Sequence, residues 1–92
     1  MEKIRIDLVR LKTEEDALKR FGRLKGMPAD YNSELEELHG ILQAWDKPLK
    51  IEIVIGGNIG PFTKLMEMLE DVRTTNNNLL FVVIMYLSLI HI

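Results

Sequence analysis

Ile4, Ile6 and Leu8 alternate with Lys3, Arg5 and Asp7, a period of two that predicts a half-buried strand over residues 3–9. The period then lengthens. Thr13 stands before Glu14, Glu15 and Asp16, a hydroxyl cap with acids at the positive end of a helix dipole. Ala17, Leu18, Phe21 and Leu24 supply the buried side of that helix, and Gly26 is placed to stop it. A second helical stripe, Leu35, Leu38, Ile41, Leu42 and Trp45, predicts a helix from about Glu34 to Gln43 or Trp45. Ser33 and Glu36 fit the S-x-x-E capping box at its start, and Asp46-Lys47-Pro48 ends it. Alternation returns over Leu49 to Ile55, with Ile51, Ile53 and Ile55 on one face. The glycine-rich run from Gly56 to Gly60 breaks that strand, and Pro61 suits the first turn of a helix. Phe62, Leu65, Met66, Leu69 and Val72 give residues 61–73 an apolar side. After a polar turn, Thr74 to Asn78, the run Leu79 to Leu87 is apolar on both faces, which predicts a well-covered third strand. Ser88 to Ile92 prolong it without a pattern that places them.

Neither connection between strands is a hairpin, so the strands pair in parallel through right-handed crossovers. The expected fold is α/β, a two-layer domain with a three-stranded parallel sheet and helices mainly on one face. Ninety-two residues suffice for one core and not for two. Apolarity alone would put the third strand at the centre of the sheet.

Charge changes the picture most. Residues 27–46 carry five acids (Asp30, Glu34, Glu36, Glu37, Asp46) and no Lys or Arg. Residues 1–26 hold eight basic and five acidic groups, and residues 47–92 four of each. The net charge of −2 is therefore a −5 segment set in a remainder of +3. On the second helix the face opposite the apolar stripe holds Glu36, Gly40 and Gln43, flanked by Glu37, His39 and Ala44. One-signed charge concentrated on one helix points to a positive partner docking there. Gly40 costs the helix roughly 1 kcal/mol relative to Ala, which a merely solvated surface position would not require.

Other chemistries find little support. Absence of Cys removes disulfides, a thiolate nucleophile and Cys zinc sites, and fits a reducing cytoplasm. The start MEKIRIDLVR has no signal-peptide core, and the longest apolar run is far below the ~20 residues that span a bilayer. No basic stripe emerges for nucleic acid, and Lys19, Arg20, Arg23 and Lys25 are accounted for by the helix dipole. GGNIG between a strand and a helix invites a phosphate, but it lacks both the GxGxxG spacing and a following Lys-Ser/Thr. Glu36 and His39 have E-x-x-H spacing, yet the only other His is His91, so no metal site and no cofactor are expected. No nucleophile, base and acid converge, so an enzyme is not expected.

The stretch from Met27 to Glu52 carries a resemblance. Met27-Pro28 followed by Tyr31, then Leu35-x-x-Leu38, Leu42, Trp45 and Pro48-Leu49-x-Ile51-Glu52, resembles the barstar family of intracellular ribonuclease inhibitors. The match is densest from about Leu24 to Ile53 and extends loosely over the chain. It implies strand order 1-2-3 and a partner that is a basic, extracellular-type ribonuclease or related toxin, met by the acidic helix and its preceding loop. It implies contact residues Asp30, Tyr31, Asn32, Glu34, Leu35, Glu36, His39, Gly40, Gln43, Trp45 and Asp71. Tyr31, Leu35 and Trp45 match family identities. Asp30 stands where the family has an aromatic residue, Asn32 where it has Gly, Glu36 where it has Asp, His39 where it has Trp, Gln43 where it has Thr, and Asp71 where it has Glu. Gly40 stands where the family has the Asp that enters the enzyme's phosphate site. Three classes therefore remain open: an inhibitor, a diverged module for another protein partner, and a small nucleotide-binding enzyme. The inhibitor reading makes the chain a monomer that spares nucleic acid and membrane, with pairing through the apolar C-terminal strand as the alternative.

Overall fold

The computed structural model describes residues 1–86. Three strands, β1 (Glu2–Asp7), β2 (Leu49–Ile55) and β3 (Leu79–Met85), form one sheet in the order β1-β2-β3. Both pairings are parallel. The helices are α1 (Glu14–Phe21), α2 (Leu35–Gln43) and α3 (Thr63–Thr75), the last entered through a single 3₁₀ turn, Gly60–Phe62. β2 is the centre, as the resemblance implies and against the ranking by apolarity.

Register explains the two layers. Ile4 lies opposite Ile51, Ile6 opposite Ile53, and Leu49 opposite Leu79, so these six side chains share one face. All six are buried in one cluster with Ala17, Leu18 and Phe21 of α1, Leu38 and Leu42 of α2, and Leu65, Leu69 and Val72 of α3. The opposite face carries Lys3 and Arg5 on β1 and Glu52 on β2. Glu52 is buried there, held by Lys3 at 3.6 Å and Arg5 at 3.9 Å.

Several boundaries depart from the pattern for identifiable reasons. β1 stops at Asp7 because its carboxylate accepts the Val9 N–H (3.1 Å) and its carbonyl the Arg10 N–H (3.2 Å), turning the chain. α1 stops at Phe21 with Gly22 as its cap, not at Gly26. From there the backbone tightens into three-residue bonds (Gly22 to Lys19, Arg23 to Arg20, Leu24 to Phe21) that do not extend the α-helix. Gly26 instead makes room for an aromatic ring, since a Cβ there would lie 2.8 Å from the indole of Trp45.

Among the described residues the third strand is not covered on both faces. It is an edge of the sheet, and Leu80, Val83 and Met85 are about half exposed or more (50%, 52% and 61%). Helices packed on one face of a three-stranded sheet leave the other face and both edges open. Leu87 to Ile92, and with them His91, lie outside the described residues.

Candidate protein-binding face

The loop before α2 is set by Tyr31. Its hydroxyl donates to the Leu18 carbonyl of α1 at 2.7 Å, and its ring packs against the core. This is the loop anchor that a Tyr at this point invites. Ser33 follows at φ 60°, the left-handed region, at a cost of about 1 kcal/mol for a residue with a Cβ.

That conformation moves the helix start. Ser33 is not the N-cap: Glu34 is, and no side chain caps the helix there. The reach-back expected of Glu36 belongs instead to Glu37, whose Oε1 accepts the Asn32 N–H at 2.9 Å. The capping box thus fails in phase, and a carboxylate one residue later closes the loop on the helix.

Freed from capping, Glu36 is exposed, as are Glu34, Asp30 and Asp46. Among the described residues none of these four, nor Glu37, forms an ion pair with a Lys or Arg. Glu36 and Glu37 sit at the positive end of the α2 dipole. Leu35 is half-buried and packs against the core, with Leu38 and Leu42 fully buried beneath it.

The far end of the ridge is built from two helices. Asp71 of α3 meets His39 of α2, Nε2 to Oδ2 at 2.7 Å, and accepts the Gln43 side-chain amide at 3.5 Å. Between the acids and this cluster lies Gly40, exposed, with nothing within 4 Å of where a Cβ would stand. The ridge therefore has a notch at its centre that reaches the helix backbone.

The structure does not bring Trp45 to this face. It is 8% exposed, packed in the core beside Gly26, with its indole N–H buried and without a hydrogen-bond partner among the described residues. Its place at the end of the apolar stripe, not its aromatic character, decides where it points. Of the aromatic groups bordering the ridge, Tyr31 and His39 remain.

One residue that the sequence hides controls how α2 ends. Asn76, buried after the last turn of α3, donates its side-chain amide to the carbonyls of Leu42 (2.9 Å), Gln43 (3.4 Å) and Trp45 (2.9 Å). Its own N–H caps α3 through the Val72 carbonyl, and its Oδ1 accepts the Asn78 N–H. Asn78 adds a second bond to Trp45 (3.1 Å). In the sequence both are members of a polar turn, with only the run of three asparagines to single them out.

The GGNIG loop borders an open concavity of about 380 Å³, in which Lys12 is the sole charged lining residue. Asn58 turns its Oδ1 back onto the Gly60 N–H at 3.2 Å. Among the described residues no three His, Asp or Glu side chains converge as a metal site would require, and no helix is long and apolar enough to cross a membrane.

Burial and the nearby Glu37 carboxylate push the Tyr31 hydroxyl from 10.0 up to about 12, against a lowering hydrogen bond from Ser33. The folded chain thus holds this proton more tightly than the unfolded chain. Its contribution to stability is complete below pH 10 and is lost as pH rises through 12. Denaturant midpoints measured between pH 9 and 12 should fall, and the fall should be shallower for Tyr31→Phe. Equal slopes would mean that the loop does not depend on this proton.

No protein-family model matches the chain, and comparison with curated proteins finds no match either.

Proposed function

We propose that this chain is a barstar-like inhibitor whose α2 ridge and preceding loop cover the active site of a basic ribonuclease. The observation that carries this reading is that Glu34 and Glu36 stand exposed and, among the described residues, without an ion pair, at the start of a helix fixed by a buried stripe. The carboxylates would stand where RNA phosphates stand, opposite the enzyme's Lys, Arg and His. Complementary potential speeds encounter and sets orientation, and the desolvated centre of the contact holds the complex. Tyr31 and the Glu37–Asn32 bond prepare the loop, so little ordering is left to be done on binding.

Such a protein needs no cofactor and catalyses nothing itself. It acts where its enzyme must be silenced before export, in the cytoplasm. The test is titration of a basic extracellular-type ribonuclease with the chain, reading RNA cleavage and complex mass together. A 1:1 complex that blocks cleavage is expected, weakened by added salt and by Glu36→Gln by about tenfold. An unchanged affinity for Glu36→Gln would remove the ridge from the interface.

Gly40 favours a second reading. The notch has open space where the family carries a carboxylate, so a partner side chain can approach the helix backbone there. A module for a different protein would use the same face without blocking RNA cleavage. Binding with cleavage intact selects this reading over the first.

A further inference from the structure

The edge of the sheet farthest from β3 has the opposite character from the acidic ridge. β1 pairs only with β2 among the described residues. Leu8 donates its N–H to the Val54 carbonyl at 2.9 Å, and Asp7 is the register partner of Val54. In a parallel ladder the backbone groups of successive residues address opposite sides, so those of Ile4, Ile6 and Leu8 face β2. Lys3 and Arg5 consequently turn their backbone N–H and C=O outward, along a free edge.

Cations line both sides of that edge. One concavity of about 210 Å³ is bordered by Lys3, Arg5, Arg20 and Arg23, and its neighbour of about 220 Å³ by Arg5, Arg10 and Arg20. Lys3 and Arg5 share a sheet face with Glu52 and keep about 60% of their side-chain surface (61% and 59%). Arg20 comes from the last turn of α1 and Arg23 from the turn that follows it, on the other side of the strand. Neither forms an ion pair among the described residues. The two acids in the groove are already engaged: Glu2 accepts the Lys25 N–H (2.9 Å), and Asp7 pairs with Arg10 (3.5 Å). The helix dipole explains why α1 ends in cations, but not why the fold sets them beside a bare strand carrying two more.

We propose that this groove binds an extended acidic segment of another protein, added as a fourth strand along β1. An incoming strand would pair with the outward backbone groups of Lys3 and Arg5. Its side chains alternate between faces, and each face meets arginine: Arg20 and Arg23 on one, Arg5 with Lys3 on the other. A segment with acids at successive positions satisfies both faces, whereas an amphipathic strand satisfies one. Nucleic acid fits less well. A phosphodiester chain has no N–H groups in register for the outward carbonyls. The proposal stands on a surface separate from α2 and does not depend on the inhibitor reading.

The test uses a fluorescein-labelled peptide of eight glutamates and the intact chain, with fluorescence anisotropy and amide hydrogen exchange as readouts. Binding is expected, with exchange at Lys3 and Arg5 slowed and affinity lowered about tenfold by Arg20→Glu with Arg23→Glu. Both positions are exposed, so circular dichroism should show the variant folded, and Arg20→Ala with Arg23→Ala provides a milder version. The same peptide N-methylated at every residue keeps its charge but lacks the pairing donors on both edges, and should bind at least as weakly as the variant. Equal binding of the methylated peptide overturns strand addition in favour of plain charge attraction. Tighter binding of oligouridylate makes the groove a nucleic-acid surface and overturns the proposal. So does peptide-free, salt-sensitive self-association that the double variant abolishes, because the occupant is then the acidic ridge of a second copy.

Discussion

Replacing Asn76 by Asp should cost this domain about 3–5 kcal/mol, a large share of the roughly 5–15 kcal/mol that holds a small domain together. The substitution keeps shape and retains the Oδ1 that accepts the Asn78 N–H. It removes the amide that now donates to the carbonyls of Leu42 and Trp45, each at 2.9 Å. A carboxylate there would face those carbonyls in a buried site, at the negative ends of two helices at once. Asn76→Ala, which leaves the carbonyls unbonded without adding charge, should cost less, about 1–3 kcal/mol. Urea unfolding of the three proteins at pH 7 checks the order. The Asp variant also has a signature of its own. Its carboxyl binds a proton more tightly folded than unfolded, so its deficit should shrink as pH falls through the carboxylate range and grow as pH rises. Equal stability of Asn76→Asp and the parent would show that α2 is not tied down here.

The second large effect concerns the ridge. Reversing charge with Glu34→Lys and Glu36→Lys should weaken a complex with a basic ribonuclease by about a hundredfold or more, chiefly through slower association and lost orientation. Both residues are exposed and, among the described residues, form no ion pair, so the stability cost is that of two cations at the positive end of the α2 dipole, about 1–2 kcal/mol, which leaves the domain folded. The converse substitution, Gly40→Asp, places a carboxylate where nothing lies within 4 Å. Asp forms helix only slightly better than Gly, so stability should change little, and affinity should rise about tenfold if the partner presents a phosphate site. Surface-based kinetics on these proteins at two salt concentrations separate association from dissociation. Reversal without loss of affinity would place the partner elsewhere; a loss on Gly40→Asp would mean that the notch receives a partner side chain.

The fold was legible along the chain wherever one periodicity dominated. The second strand came out with its full extent, Leu49–Ile55, because Pro48 and Gly56 bound a run in which Leu49, Ile51, Ile53 and Ile55 recur at every second position. α2 came out with the correct buried side, and its acids Glu34 and Glu36 are exposed as the pattern requires. Departures gathered where local signals competed. Ser33 has the residue type of a cap but the backbone of a left-handed turn, so the helix begins one residue later and Glu37 takes the reach-back. Gly26 looks like a helix stop and is instead the floor under an indole ring. β3 is apolar throughout, a composition shared by central strands and by edges that have no gatekeeper.

By itself, then, the amino-acid order determined the element types, the parallel topology and the concentration of negative charge on one helix. These follow from periodicity, crossover length and residue type, all of which are local. Only the tertiary structure decided that Trp45 faces inward, that Asp71 joins His39 across two helices, that Asn76 ties α2 to α3, and that Arg20 of α1 and Arg23 of the turn after it stand beside a strand edge that is bare among the described residues. Each depends on residues separated along the chain meeting in space, and such meetings are set by how faces pack, which no window along the sequence contains.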